Sequence, residues 1–291
     1  MIKYFIIFIS VTILAFSVDD AYIAEVAYAI EEDNAVDLYP ESKSSENKLA
    51  KTVNRRINSP KDITIFKSKM IKPINYTKVV SLDKLQVSEK KQKFFYMILP
   101  AILISKQKLK VKRAKVKQIL KLVNPSAEDL MFLDNLYKKY RTDNGKELLS
   151  RMKTHPVSIV LAQAAIESGW GESRFFKKGN NIFGMWSYDK NEPRMRAKET
   201  RNGKHVYLRK YRSISDAIDD YFVTIGRGAY KSFRKQRDIT KDPLKLVRYL
   251  INYCELKGKY TKKLRRFIIA NKLKKFDEFK IDKMYLTKNF Y

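Results

Sequence analysis

Four of the nine glycines of the chain fall within sixteen residues, directly after a segment of helical character. That segment, Val157 to about Glu167, is rich in Ala and Ile, and the preceding Pro156 is tolerated in the first turn of a helix. Because glycine adopts backbone conformations that other residues avoid, this density predicts tight, specified turns after the helix. The glycines concerned are Gly169, Gly171, Gly179 and Gly184.

Helical periodicity also dominates much of the remaining sequence. It begins at Ser88, after which apolar residues recur on one face, and Pro100 is expected to kink that helix. The dipeptide Asn202-Gly203, between two strand-compatible runs in residues 194–211, predicts a β-hairpin. The predicted fold class is therefore α+β, mainly helical, with one small β-hairpin.

The N-terminus carries a targeting signal. Lys3 precedes an apolar run, Tyr4–Val18, that is shorter than the roughly 20 residues of a typical membrane span. We expect residues 1–29 to be a secretory signal peptide, and two small-residue sites leave its cleavage position open. An uncleaved membrane anchor is the alternative. With either, the body of the chain is expected to be exported, to the periplasm or the cell envelope.

Composition separates two further regions. Residues 30–60 are acidic and then rich in Ser, Asn and Lys, and residues 61–87 have only scattered apolar positions. We therefore expect residues 30–87 to be a flexible linker followed by an irregular arm. Residues 88–291 are expected to form the folded domain and to end in a basic C-terminal helix.

The chain has a formal charge of +30, from 61 Lys and Arg against 31 Asp and Glu. We interpret this as a generally cationic body suited to an anionic surface, and nucleic acid is not the expected partner. With one cysteine, Cys254, and two histidines, His155 and His205, the sequence lacks the ligand clusters of a zinc site. Zinc-dependent hydrolysis is therefore not expected.

Glu167 is the candidate proton donor. It ends the helix that precedes the glycines and shares one helical face with Val160 and Gln163. The helix dipole does not stabilise a carboxylate at that end, and apolar neighbours raise its pKa, as a proton donor near neutral pH requires. The alternative is a surface glutamate in a frayed last turn.

Aromatic residues cluster after Glu167. Both tryptophans of the chain, Trp170 and Trp186, lie within 19 residues of it. Aromatic faces pack on apolar C–H surfaces, so this cluster suits a sugar ring in a cleft. An aromatic mini-core that fastens the glycine turns is the other interpretation, and both can hold. The remaining members are Phe175, Phe176, Phe183 and Tyr188.

Two motifs in this region resemble a known family. The first runs from Ala162 to Gly171 and contains Glu-Ser-Gly-Trp-Gly, and the second is Asn180-Asn-Ile-Phe-Gly184, followed by Trp186. In this order and spacing they are similar to the glucosaminidase family of peptidoglycan hydrolases (glycoside hydrolase family 73), especially its Bax-type branch.

The resemblance covers roughly residues 90–270 and implies a lysozyme-like fold. It implies an endo-β-N-acetylglucosaminidase, which cleaves the glycan strand of peptidoglycan after N-acetylglucosamine. On this basis residues 88–291 are the catalytic domain, and no cofactor or metal is needed. We expect a monomer, with anionic wall polymers or a membrane surface as further partners of the cationic body.

The resemblance also assigns the site residues. The general acid of the family maps onto Glu167, its second acidic residue onto Glu199, and its distal tyrosine onto Tyr260. The local Thr/Glu order at Glu199 differs from the family pattern, so water activation by Glu199 and assistance by the acetamide of the substrate both stay open. The residues expected to bind substrate are Gln163, Trp170, Asn181, Phe183 and Trp186.

Two other functions stay open at the level of sequence. A lytic transglycosylase or muramidase can use one glutamate in a similar fold, although Gly184-Met-Trp-Ser stands here where those enzymes usually have Gly-Leu-Met-Gln. A non-catalytic cationic protein that binds cell wall or membrane is favoured by the basic C-terminal region. Its charged residues are Lys262, Lys263, Arg265, Arg266, Lys272, Lys274 and Lys275.

Overall fold

The structure, a computed structural model, describes residues 48–201 and 203–288, without the side chains of Glu199 and Lys288. The predicted signal peptide, residues 1–29, and the acidic part of the predicted linker lie outside the described residues. The α-helices are α1 (Val87–Ile119), α2 (Ala127–Tyr140), α3 (Gly145–Arg151), α4 (Val157–Ser168), α5 (Arg174–Gly179), α6 (Ile214–Gly226), α7 (Lys231–Ile239), α8 (Pro243–Leu246) and α9 (Gly258–Ala270). The strands are β1 (Lys48–Ala50), β2 (Val53–Arg56), β3 (Met70–Ile71), β4 (Ile74–Lys78), β5 (Arg194–Arg201), β6 (Lys204–Arg209), β7 (Lys280–Ile281) and β8 (Leu286–Lys288).

Helix α1 passes through the core. It is buried almost throughout from Phe94 to Ser105, where it packs against α4 and α6. The helix continues through Pro100 to Ile119, so the basic stretch after the apolar stripe belongs to the same helix. Within the described part of the chain, no helix has both the length and the hydropathy needed to cross a membrane.

Helix α4 carries Glu167 and is enclosed by its neighbours, since every residue from Val157 to Ala165 is buried. Pro156 at its N-terminus offers no side-chain cap, and Asp277 from the C-terminal part of the chain takes that place. The Asp277 carboxylate accepts hydrogen bonds from the backbone N–H (2.8 Å) and the hydroxyl (2.7 Å) of Ser158. Both ends of α4 are thereby fixed, because Gly169 closes the other end with a left-handed backbone.

Strands β5 and β6 form the predicted hairpin. They pair antiparallel with an irregular register between Arg196 and Thr200, and Gly203 has a φ of +72° at the turn. Trp186 adds an isolated antiparallel bridge to Leu208 of β6. The predicted fold class, α+β and mainly helical with a small hairpin, is confirmed.

Residues 48–87 differ from the predicted linker and arm. Strand β1 pairs with β8 and β3 with β7, both near the C-terminus, while β2 pairs with β4. Strands of two to five residues are too short to show a recognisable apolar alternation, which is why the sequence pattern predicts a linker here. The segment supplies these buried residues to the core: Ile57, Ile63, Ile71, Ile74, Tyr76, Val79 and Leu82.

Candidate active site

The chain reverses direction directly after Glu167. Gly169, Trp170 and Gly171 have φ values of +57°, +62° and +88°, so three successive residues adopt the left-handed region. The Ser168 hydroxyl closes this turn: it donates to a carbonyl of α4 (2.6 Å) and accepts from the N–H of Gly171 (2.9 Å). A non-glycine residue in this region costs roughly 1–2 kcal/mol, so other contacts must hold Trp170 in place.

Those contacts are aromatic. The half-buried Trp170 ring packs against Phe94 and Phe95 of α1 and Phe267 of α9, at centroid distances of 5.7, 5.4 and 5.2 Å. They join the end of α4 to two other helices, so the aromatic mini-core interpretation is correct for this tryptophan. The further role of Trp170 in substrate binding stays a prediction.

Glu167 is half-buried at the end of α4, and Tyr260 of α9 orients its carboxyl group. The Tyr260 hydroxyl donates a 2.9 Å hydrogen bond to Oε1 of Glu167. Burial raises the pKa of Glu167 to about 7, against the lowering effects of the Tyr260 hydrogen bond and the charge of Lys263. A carboxyl group with such a pKa is partly protonated at neutral pH and can act as a proton donor.

Tyr260 is itself held by a line of buried hydrogen bonds. Gln163 Nε2 donates to the Tyr260 hydroxyl oxygen (3.2 Å), and Gln163 Oε1 accepts from the Tyr221 hydroxyl (2.6 Å). The Tyr221 hydroxyl oxygen lies 2.8 Å from Nε2 of His155. These four side chains are at most 3% exposed. We call the line from His155 through Tyr221, Gln163 and Tyr260 to Glu167 the His155–Glu167 chain.

The donors of the His155–Glu167 chain all point towards Glu167. The Tyr221 hydroxyl donates its hydrogen to the glutamine, so it accepts from His155, which must carry a hydrogen on Nε2. Burial and nearby cations hold the pKa of His155 well below its usual range, so the ring is neutral and Nδ1 has no hydrogen. Nδ1 is buried without a hydrogen-bond partner among the described residues, which agrees with this tautomer.

Gln163 was expected to bind substrate, and the structure places it elsewhere. Its amide is fully buried, and both ends of the amide are occupied by tyrosine hydroxyls. Full burial of the side chain argues against contact with a ligand, and the predicted role of Gln163 in substrate binding stays a prediction. Gln163 instead positions the hydroxyl of Tyr260, whose ring is stacked on Tyr253 at 5.5 Å.

Asn181 and Phe183 also lie in the interior. The Asn181 side chain donates to the carbonyls of Met185 and Arg209 (2.9 Å each) and accepts from the N–H of Met185 (2.8 Å). Phe183 is 2% exposed and stacks on Tyr221 at 4.3 Å. Their burial argues against side-chain contact with a ligand, and the predicted role of both in substrate binding stays a prediction. They fasten the second glycine turn to β6 and pack the His155–Glu167 chain.

The β5–β6 hairpin is fastened at both ends. At the end of β6, Arg209 pairs with Asp220 of α6 (2.8 Å) and with Glu192 (3.0 Å). At the tip, Arg201 pairs with Glu255 (3.2 Å), which lies in the segment that precedes α9. The hairpin therefore extends from α6 to the segment that leads into Tyr260.

The hairpin side of the site presents an aromatic pair. Trp186 is half-buried, its ring lies 6.2 Å from that of the exposed Tyr188, and the guanidinium of Arg201 lies 5.6 Å from its face. Glu199, the predicted second carboxylate, lies on β5 within the irregular part of the register. Its side chain lies outside the described residues, so its role stays a prediction.

Sequence reasoning missed His155 and Tyr221 as parts of the site. They lie 66 positions apart, and no local pattern connects them. One signal was present: Gln163 is a polar residue within the apolar run of α4, and a buried amide requires partners for both of its ends. From the sequence alone, Gln163 therefore indicates that polar partners must be buried beside it. In the structure these partners are Tyr221 and Tyr260.

The region around Glu167 is similar to known proteins. The family model described as Mannosyl-glycoprotein endo-beta-N-acetylglucosaminidase, named Glucosaminidase, matches residues 143–273. Protein bax of Escherichia coli (strain K12) is 32% identical over 117 residues, which are 40% of this chain and 40% of that protein. Exo-glucosaminidase LytG of Bacillus subtilis (strain 168) is 28% identical over 152 residues, 50% of each. The chain thus spans half or less of the length of these relatives.

Among solved structures, the catalytic domain of the autolysin Auto from Listeria monocytogenes is 19% identical, covers 57% of this chain and 97% of that chain, and has a TM-score of 0.37. The residues matched by the family model contain Glu167, Tyr260 and the β5–β6 hairpin. The resemblance predicted from the two motifs is confirmed, because residues 143–273, which contain both motifs, match the model of the glucosaminidase family.

Proposed function

We propose that this protein cleaves the glycan strand of peptidoglycan as an endo-β-N-acetylglucosaminidase, with Glu167 as the general acid. The observation that carries the proposal is a half-buried carboxyl group with a pKa of about 7, oriented by a tyrosine hydroxyl. In such an environment a glutamate keeps its proton near neutral pH and can deliver it to a leaving oxygen.

The His155–Glu167 chain favours the chemical step. In glycoside hydrolysis the acid protonates the leaving oxygen while positive charge develops on the sugar. Glu167 becomes ionised as it loses its proton, and the Tyr260 hydroxyl then donates to a full carboxylate. Hydrogen bonds to ionised acceptors are roughly twice as strong as neutral ones, so Tyr260 stabilises Glu167 more after the transfer than before it.

We assign activation of the attacking water to Glu199 and sugar contact to Trp186 with Tyr188. The support for Glu199 is its position on β5, in a hairpin whose tip is fastened beside α9 by the Arg201–Glu255 pair. Tyr188 is exposed and Trp186 is half-buried, so this pair presents ring surface on which a sugar can pack. Since the substrate lies outside the cell, we place the protein in the periplasm or the cell envelope.

Mass spectrometry of digested peptidoglycan tests the reaction. The protein is expected to release internal fragments with new reducing-end N-acetylglucosamine. Glu167→Gln should lower that release by about 10²-fold or more, because an amide cannot donate the catalytic proton. The exposed Glu128, in the first turn of α2, provides a matched control, and Glu128→Gln should retain full activity.

Each other product identifies a different enzyme. Reducing-end muramic acid indicates a muramidase, anhydro-muramic ends indicate a lytic transglycosylase, and single released sugars indicate an exo-acting enzyme. If folded Glu167→Gln protein keeps more than about a tenth of the activity, Glu167 is not the acid.

The pKa of Glu167 also predicts a pH-dependent stability difference. Below pH 4.5 the carboxyl group is protonated in folded and unfolded chains alike, whereas above about pH 7 the folded protein bears the full cost of a buried carboxylate. Glu167→Gln should therefore match the wild type near pH 4 and exceed its free energy of unfolding at pH 8 by on the order of 1 to 3 kcal/mol. Thermal unfolding of the variant and the wild type at both pH values measures this difference in stability. If the difference is the same at pH 4 and pH 8, the pKa of Glu167 is not raised.

Tyr221→Phe tests the His155–Glu167 chain. The variant keeps the ring that stacks on Phe183 but removes the donor that holds Gln163 Oε1. The amide can then turn over, so that Oε1 replaces Nε2 beside Tyr260 and accepts the Tyr260 hydrogen in place of Glu167. We expect kcat to fall by about three- to tenfold with KM unchanged, and the alkaline limb of the pH–rate profile to move to higher pH, because Glu167 loses a donor that lowers its pKa.

Tyr230→Phe is the control for this variant. Burial, together with the charge of Glu167, raises the pKa of Tyr230, so this residue lies near the site but outside the His155–Glu167 chain. It should lower stability at most and leave the pH–rate profile in place. If the profile of Tyr221→Phe also stays in place, the hydrogen-bond chain does not act on Glu167.

Glu199→Gln should lower kcat strongly but not completely, while glycan affinity stays near that of the wild type, because the acetamide of the substrate can assist in its place. Steady-state kinetics on a soluble glycan, with binding measured separately, give both quantities. The exposed neighbour Lys198 provides the control Lys198→Gln, for which no change is expected. Wild-type turnover in Glu199→Gln would end the assignment.

A further inference from the structure

One face of α9 carries four cationic side chains. Lys259, Lys262, Lys263 and Arg266 follow the i, i+3, i+4, i+7 spacing that places residues on one side of a helix, and all four are exposed. Together they line a surface concavity of about 260 Å³. We call this set the α9 basic face. The opposite side of the helix is buried in the core.

The charges of the α9 basic face are not balanced by acidic side chains among the described residues. Among the described residues, none of its four members forms an ion pair, whereas Arg201 at the nearby hairpin tip is paired with Glu255. Its two i, i+4 pairs are both of like charge, an arrangement that destabilises a helix. No ion pair therefore offsets the repulsion among these four charges, and an anionic ligand would relieve it.

The α9 basic face is continuous with the candidate active site. Tyr260, which follows Lys259 on the same helix, donates its hydrogen bond to Glu167. Lys263 lies three residues after Tyr260, a spacing that makes the two neighbours on the helix surface, and its charge lowers the pKa of Glu167. A glycan strand bound at Glu167 would thus have the α9 basic face along one side.

We infer that the α9 basic face binds the carboxylates of the peptides that branch from a peptidoglycan strand, so that peptide-bearing strands are the preferred substrate. The inference rests on the proposed function, because it places the strand at Glu167. Ammonium and guanidinium groups form charge-assisted hydrogen bonds with carboxylates. Peptides attached to a strand at Glu167 leave it beside the surfaces that flank this residue, and the α9 basic face is one of them.

Two soluble substrates test the inference: glycan strands with intact peptides, and the same strands after an amidase has removed the peptides. The variant Lys262→Gln/Arg266→Gln leaves Lys263 in place, so the environment of Glu167 is kept. For this variant we expect KM on peptide-bearing strands to rise about three- to tenfold with kcat unchanged, as the loss of two exposed ion pairs implies. On peptide-free strands KM should not change.

A matched control removes two charges elsewhere. Lys61 and Lys121 are exposed and lie outside α9, and Lys61→Gln/Lys121→Gln should leave KM unchanged on both substrates. The inference is overturned if the α9 variant changes KM equally on both substrates, or on neither. It is also overturned if the α9 variant loses binding to phosphatidylglycerol vesicles while its KM stays that of the wild type, since a membrane surface is then the ligand.

Failure of the proposed function can be told apart from failure of this inference. If the wild type cleaves neither substrate, the proposed function fails, and binding of the two strands to Glu167→Gln protein is measured instead by calorimetry. Tighter binding of peptide-bearing strands that is lost when Lys262→Gln/Arg266→Gln is added supports the inference without any turnover. Equal binding of both strands overturns it.

Discussion

The hydrogen bond from Tyr260 to Oε1 of Glu167 joins α9 to α4 and is the contact on which the site depends. A carboxyl group that keeps its proton near neutral pH must be taken out of water, and a partly buried group needs a partner that fixes its direction. Packing of Trp170 on α1 and α9 and stacking of Tyr253 on Tyr260 bring the two helices into that contact. The fold therefore supplies both the burial and the orientation that an acid catalyst requires.

Local sequence patterns predicted the elements that end at the site. Helix α4, the turns after it and the β5–β6 hairpin follow from apolar periodicity and glycine placement, which depend on neighbouring residues alone. The raised pKa of Glu167 was also predictable, because a carboxylate at a helix C-terminus among apolar residues has little to stabilise its charge. These elements and the direction of this pKa shift depend on residues that are close together in the sequence.

The roles of Gln163, Asn181 and Phe183 could not be predicted in this way. Their motifs point to the correct region, but the partners that occupy their side chains lie up to 97 positions away, so burial and pairing depend on tertiary contacts. The same limit applies to residues 48–87, whose short strands β1 and β3 pair with strands near the C-terminus. A motif residue close to a candidate catalytic group can thus hold that group in position without contacting a ligand.

The direction of the hydrogen bond at Glu167 also makes its two carboxyl oxygens unequal before any substrate arrives. Since Oε1 accepts the hydrogen of Tyr260, a protonated Glu167 carries its own hydrogen on Oε2. In the proposed reaction, a glycosidic oxygen would receive that hydrogen by approaching on the Oε2 side. The side from which α9 presents its tyrosine would therefore set the direction from which a sugar chain meets Glu167 in that reaction.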